Sequence, residues 1–197
     1  MKFIDTHSHL YSEQFDKDRS KVVTDAITVG VDTILLPNIS SNYTKKMLAL
    51  CDEFPNNCFP MMGLHPCDVT EANYDAEIAH VEEQLATENY IGVGEIGLDL
   101  YWDKTTLTIQ KKAFMYQVEL AKKHQLPIAI HVRNSFNEAI EIIENLNDKT
   151  LRGVFHCFTG DIKDAKRVIN LEGFYLGIGG VLTFKNSGLD KTIAKID

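Results

Sequence analysis

Seven times along this chain a short apolar, β-branched run ends on a polar residue and is followed, after a brief loop, by a longer segment of helical periodicity. The runs read as strands at Lys2 to His7, Asp32 to Pro37, Cys58 to Gly63, Tyr90 to Glu95, Pro127 to His131, Gly153 to His156 and Phe174 to Ile178. Between them, helices are expected over Asp16 to Val29, Asn42 to Glu53, Tyr74 to Thr87, Thr106 to His124, Phe136 to Leu146 and Ile162 to Leu171. Two of these starts carry capping-box spacing, Ser135 with Glu138 and Asp161 with Asp164. Near-continuous apolar strands are buried on both faces, as in a parallel sheet covered by helices. Such units fit a doubly wound sheet or a (β/α) barrel, and periodicity does not separate the two. The polar residues do: they close the strands, and barrel active sites lie on the rim formed by the C-terminal strand ends. The expected fold is an α/β, TIM-type (β/α) barrel.

No low-complexity tract, Gly/Ser/Pro-rich linker or long charge block divides the 197 residues, so one domain over 1–197 is expected. The longest apolar stretches, such as Thr33 to Pro37 and Pro127 to Ile130, fall far short of the roughly 18 residues that cross a bilayer. Asp5 and His7 interrupt the opening segment where a secretory signal needs a continuous apolar core. A cytoplasmic protein without membrane contact is the resulting expectation. Cys51, Cys58, Cys67 and Cys157 show no C-x-x-C spacing and read as reduced, buried or semi-buried thiols. The formal net charge of −8 argues against a broad basic surface for gripping nucleic acid. It leaves a nucleic-acid substrate open, because two bound divalent cations would bring about four positive charges into a cleft.

His7 and His9 stand one residue apart at the end of the first run, and the period-2 pleat sends both rings to one face. Alone, an H-x-H pair also fits a solvated loop. Glu95, His131 and His156 each close a later run. Singly, Glu95 fits a lysine pair and each histidine fits a hydrogen-bonded structural role. As a set, four strands deliver metal-capable groups to one rim, which is the pattern of a divalent-metal site. Four imidazoles and a carboxylate suit zinc, manganese or iron better than calcium, with magnesium admissible where exogenous oxygens complete the shell.

The segments Asp5-Thr6-His7-Ser8-His9-Leu10, Gly63-Leu64-His65-Pro66, Gly94-Glu95-Ile96-Gly97-Leu98-Asp99, Ile130-His131-Val132-Arg133 and Phe155-His156-Cys157-Phe158-Thr159-Gly160 resemble the motifs of the TatD-type deoxyribonucleases. A sixth, Ile178 to Phe184, continues the likeness. That family is a branch of the metal-dependent hydrolases with a TIM-barrel fold. The resemblance implies that His7 and His9 bind one divalent ion, that Glu95 bridges as the catalytic carboxylate, and that His131 and His156 bind a second ion, with zinc, manganese and magnesium as candidates. It implies cleavage of DNA phosphodiester bonds by metal-bound hydroxide, without a protein nucleophile, on single-stranded or frayed ends. His65 and Arg133 fall inside family-like motifs and are candidates for phosphate contact, Arg133 through a bidentate fork or, alternatively, in a salt bridge to Glu138. Asp99 reads as a residue that orients a ligand or fixes the following loop, and Tyr101 and Trp102 read as a base-stacking pair or as packing.

In the family an eighth strand ends in a Thr-Asp-x-Pro-like motif whose aspartate binds the first metal. No such segment occurs here, and Asp190 and Asp197 fall in an expected helical tail. Seven of eight βα units are therefore expected, in an incomplete barrel truncated at its C-terminal side, with weak metal binding and little turnover. Two other readings compete with DNA hydrolysis. One is a metal-dependent hydrolase of a small ester, phosphotriester or cyclic amide, against which Glu95 stands where such barrels often carry a modified lysine. The other is an inactive binding module that associates through open sheet edges.

Overall fold

The computed structural model describes residues 2–87 and 90–196. Seven strands alternate with helices in chain order: β1 (Phe3–Asp5), α1 (Arg19–Thr28), β2 (Val31–Pro37), α2 (Ser41–Glu53), β3 (Cys58–Met61), α3 (Tyr74–Thr87), β4 (Val93–Asp99), α4 (Leu107–His124), β5 (Ile128–Arg133), α5 (Phe136–Leu146), β6 (Gly153–Phe155), α6 (Ile162–Ile169), β7 (Phe174–Leu176) and α7 (Leu189–Ile193). All the pairings are parallel, in the orders β1-β2-β3 and β4-β5-β6-β7, and a single bridge from Met62 to Val93 links the two sets. Neighbours in sequence are thus neighbours in space from β1 to β7. A doubly wound sheet reverses direction at a switch point, whereas a barrel keeps its strands in chain order. The order selects the barrel-type arrangement that periodicity alone leaves open.

Among the described residues β7 does not pair with β1, so the arc is open. Its flanks expose apolar side chains, with Phe3 at 51% and Tyr175 at 71% of full exposure. At the centre of the arc all seven residues of β4 are buried, and one apolar cluster joins β2 through β7 to α1 through α6.

Three expectations from the sequence need correction. The fourth strand does not close on Glu95. It begins at Val93 and continues through Asp99, because Gly97, Leu98 and Asp99 pair with His131, Val132 and Arg133 of β5. Glu95 and His131 accordingly sit inside their strands, while His7, His9 and His156 lie just beyond theirs. Ser135 does not cap α5: its hydroxyl instead donates to the Leu98 and Arg133 carbonyls, tying the helix start to β4 and β5. The Asp161–Asp164 capping box is present. Cys51, Cys58, Cys67 and Cys157 are all free, but Cys67 is exposed rather than buried.

Gly97 shows why this part of β4 tolerates no side chain. Its φ is +142°, a conformation that L residues rarely adopt, and a Cβ there would lie 2.0 Å from the His131 carbonyl oxygen. Gly97→Ala is expected to destabilise the fold by about 2–4 kcal/mol through backbone strain and overpacking. A Cβ at Gly180 would meet no atom of the described residues within 4 Å, so Gly180→Ala is expected to shift stability by less than about 0.5 kcal/mol. Urea unfolding of the two variants checks this, and equal midpoints would refute it.

Candidate metal centre

β4 carries Glu95 into the interior with its side chain only 4% exposed. Its backbone is held from the β2 side: the Glu95 N–H donates to the Asn38 carbonyl at 3.0 Å, and the Asn38 N–H donates to the Gly94 carbonyl at 2.9 Å. A carboxylate this deep needs compensating partners. Three histidines from two other parts of the chain supply them. Glu95 Oε2 lies 3.1 Å from Nε2 of both His7 and His9, and Oε1 lies 2.9 Å from His131 Nδ1. Burial by itself raises the Glu95 pKa, but the hydrogen bonds from His131, His7 and His9 outweigh it and hold the carboxyl well below its ordinary range.

The second nitrogen of each ring determines what the first one can do. His9 Nδ1 is 2.7 Å from the Tyr11 hydroxyl, which donates its own proton to the Pro37 carbonyl. That hydroxyl oxygen therefore accepts from His9 Nδ1–H, so Nε2, which points at Glu95 and at His7 Nε2, 3.2 Å away, is the nitrogen that either donates to Glu95 or, once that proton is released, offers its lone pair to a cation. His65 is the reverse case. Its Nδ1 accepts from the Cys67 backbone N–H at 3.1 Å, so the neutral ring carries its proton on Nε2. Burial pushes this ring's pKa down to about 4 despite the opposing charge of Glu95, so it is neutral near pH 7. His131 faces carboxylates on both sides, Glu95 through Nδ1 and Asp99 Oδ2 through Nε2, each at 2.9 Å. Burial lowers its pKa, but Glu95 and then Asp99 more than offset this and raise it above the ordinary value.

His156 stacks flat on His7, with ring centroids 3.3 Å apart and planes inclined by 12°. Burial and the nearby His7 lower its pKa to about 3. Within the described residues, two sets offer ligand atoms that all lie within 4.8 Å of one another: His7, His9 and Glu95, and His65, Glu95 and His131. His156 is in neither set, although it lines the same cleft of about 490 Å³ as His7, His9, His65, Glu95 and His131. The donor chemistry fits a divalent cation: His7, His9 and Glu95 bring one ligand atom each within 4.8 Å of the others, and His7 Nδ1 is buried without a partner. The second set fits less well as it stands, because His65 turns an N–H, not a lone pair, toward Glu95.

Arg133 lies outside this cleft. Its guanidinium sits 3.6 Å above the Tyr101 ring, and among the described residues it has no ion pair, with Glu138 or any other acid. Asp99 does both things considered for it. Oδ2 meets His131, while Oδ1 accepts from the backbone N–H groups of Tyr101 and Trp102 at 2.9 and 3.4 Å. Asp190 is exposed on α7, in neither ligand set, and Asp197 is outside the described residues. Sequence reasoning misses Tyr11, although its place two residues after His9 continues the alternation that pairs His7 with His9.

The hydrogen bonds lead to a spectroscopic expectation for the metal-free protein. Long-range ¹H–¹⁵N correlation should find neutral His9 as the Nδ1–H tautomer and neutral His65 as the Nε2–H tautomer. The opposite assignment for either ring would remove the distinction between a ligand and a donor.

The chain matches the family described as TatD related DNase over residues 4–197. An "Uncharacterized metal-dependent hydrolase YabD" of Bacillus subtilis (strain 168) is 33% identical over 191 residues, which cover 97% of this chain and 74% of the relative. A "3'-5' ssDNA/RNA exonuclease TatD" of Rahnella sp. (strain Y9602) is 32% identical over 182 residues, covering 92% of this chain and 68% of the relative. The crystal structure of YjjV, a TatD homologue from Escherichia coli K12, superposes with a TM-score of 0.89 at 28% identity over 99% of this chain and 75% of that one. With the strand order and the histidine-ringed carboxylate, these matches establish that the chain belongs to the TatD-related DNase family of metal-dependent hydrolases.

Proposed function

We propose that this chain hydrolyses phosphodiester bonds of single-stranded DNA from an exposed end, using two divalent cations held on either side of Glu95. One observation carries the reading: the two oxygens of Glu95 are divided, Oε2 toward His7 and His9 and Oε1 toward His131. A carboxylate engaged in this way is suited to bridge two cations. In the proposed assignment His7 and His9 hold one ion, and His131 and His156 the other. Imidazole-rich ligation favours zinc or manganese over magnesium. Such a pair of ions, when bound, acidifies a water and neutralises charge on the scissile phosphate. The single-stranded substrate is supported by the name of the Rahnella relative, an exonuclease of ssDNA and RNA.

The other residues take roles that their hydrogen bonds permit. Tyr11 fixes the His9 tautomer that frees Nε2, and Asp99 orients His131. His65 donates its Nε2–H to an oxygen of the phosphate as negative charge develops there, a role for an oriented N–H rather than for a metal ligand. Arg133, at the rim, offers a planar fork to a flanking phosphate.

Two measurements test these assignments. Cleavage of single- and double-stranded oligonucleotides, with RNA and blocked 3′ or 5′ ends as further arms, is expected to stop in chelator and to fall at least about 100-fold in His131→Ala. Chelator-insensitive cleavage, or full activity in that variant, would sink the mechanism. For His65→Ala, kcat is expected to fall by about 10²–10³-fold with metal content unchanged by elemental analysis. Loss of a bound cation in this variant would instead make His65 a ligand.

A further inference from the structure

Immediately beyond β4, two large aromatic side chains stand in solvent beside a buried polar centre. Trp102 is 72% exposed and Tyr101 is 51% exposed. Leaving such area in water forgoes the burial that normally stabilises aromatic residues, and they are nonetheless held in a defined arrangement. Their rings meet edge to face, with centroids 4.8 Å apart and planes at 89°. The Arg133 guanidinium covers one face of Tyr101 at 3.6 Å and lies 5.5 Å from the Trp102 ring. Nothing among the described residues pairs with its charge, so its N–H groups remain directed to solvent.

The arrangement is anchored to the metal centre through one side chain. Asp99 Oδ1 accepts from the backbone N–H of both Tyr101 and Trp102, while Oδ2 of the same carboxylate meets His131 Nε2. A further bond from the Leu100 N–H to the Arg133 carbonyl, at 2.9 Å, ties the loop to β5. Trp102 is three residues from Asp99, so its backbone lies within about 10 Å of the residue that touches His131.

We infer that Trp102, Tyr101 and Arg133 form a stacking platform for a nucleobase of a single strand whose scissile phosphate lies at Glu95, with Trp102 providing the open ring face and Arg133 the contact to the adjacent phosphate. An exposed ring with a solvent-facing guanidinium beside it matches a base and its phosphate, the two features repeated along a strand. The platform accepts any base, because every base has a π-face, and it requires one that is unpaired. It thus selects single strands and frayed ends over intact duplex. This inference rests on the phosphodiesterase reading above and adds a substrate subsite to it.

The experiment exploits the composition of the chain. Trp102 is the single tryptophan, so the indole fluorescence of the wild type reports on this position alone. Titration with a short single-stranded oligonucleotide in chelator, where no turnover occurs, is expected to quench that fluorescence saturably, and one lacking its terminal bases should not. In the presence of manganese, Trp102→Ala is expected to raise KM about 5- to 150-fold, in line with about 1–3 kcal/mol per stacked base, with kcat changed much less. Trp102→Phe should recover most of the loss. An oligonucleotide without terminal bases should show the raised KM with wild type and no further increase with Trp102→Ala. If wild type cleaves normally but Trp102→Ala keeps the wild-type KM, or if the penalties for base and side chain add, the platform is refuted. If wild type cleaves no oligonucleotide at all, the proposed function fails instead, and an absence of quenching in chelator then overturns the platform separately.

Discussion

Burying the Glu95 carboxylate is the constraint from which the rest of the centre follows. Removing an ion from water costs several kcal/mol unless charge and hydrogen bonds are returned to it. Here the return comes as three imidazole nitrogens at 2.9–3.1 Å, from residues 88, 86 and 36 positions away in sequence. Here parallel strands set side by side bring these distant positions to one point. The arc from β1 to β5 is therefore what makes the buried carboxylate tenable. Under the proposed function these nitrogens also serve as metal ligands, and protons compete for the same lone pairs. A ring such as His131, placed between Glu95 and Asp99, holds protons that cation binding would have to release.

Close approach of the backbones makes the convergence possible. A Cβ at Gly63 would stand 2.7 Å from the Gly94 carbonyl carbon, and one at Gly94 would stand 2.8 Å from the Ala129 Cβ. Beneath the metal centre, then, β4 and the chain on either side of it pack backbone against backbone. Asn38 serves the same end from β2: it is fully buried, bonded through its backbone to Gly94 and Glu95 and through its amide to the Gly63 carbonyl. Rigidity of this kind suits a site in which one carboxylate has to serve two groups of ligands at fixed spacing.

The alternation of strands and helices is legible in the sequence because β-branched runs and helical periodicity are local properties. All seven strands lie close to their expected places, as do six of the helices, while the short α7 is foreshadowed only as a tail. The end of β4 is not legible. Glycine at 94 and 97 looks like punctuation in a single sequence, and only pairing with His131, Val132 and Arg133 shows that the strand runs on. The same limit applies to the centre. Strand ends and family-like motifs point to His7, His9, Glu95, His65, His131 and His156, and the structure gathers all six around one cleft. Which nitrogen of each ring is free depends on Tyr11, Cys67 and Asp99, contacts that no residue spacing specifies. Ser135 makes the point from the other direction, since its capping signature is genuine as a pattern but its hydroxyl is drawn to the ends of β4 and β5.

Charge decides how a nucleic acid could approach such a protein. At a net charge of −8 the chain repels a polyanion at long range, and Glu95 and Asp99 add two carboxylates at the centre itself. Under the proposed function, attraction must therefore be local, supplied by Arg133 at the edge of the cleft and strengthened by cations once these are bound within it. Stacking complements this, because it is short-ranged and indifferent to net charge. An acidic nuclease built in this way would bind little through diffuse electrostatics, so it would have a shallower salt dependence than one with a basic groove. Its preference for an end would follow from the same geometry: an intact duplex offers phosphates but no free base face, whereas a frayed strand presents both within reach of Trp102 and Glu95.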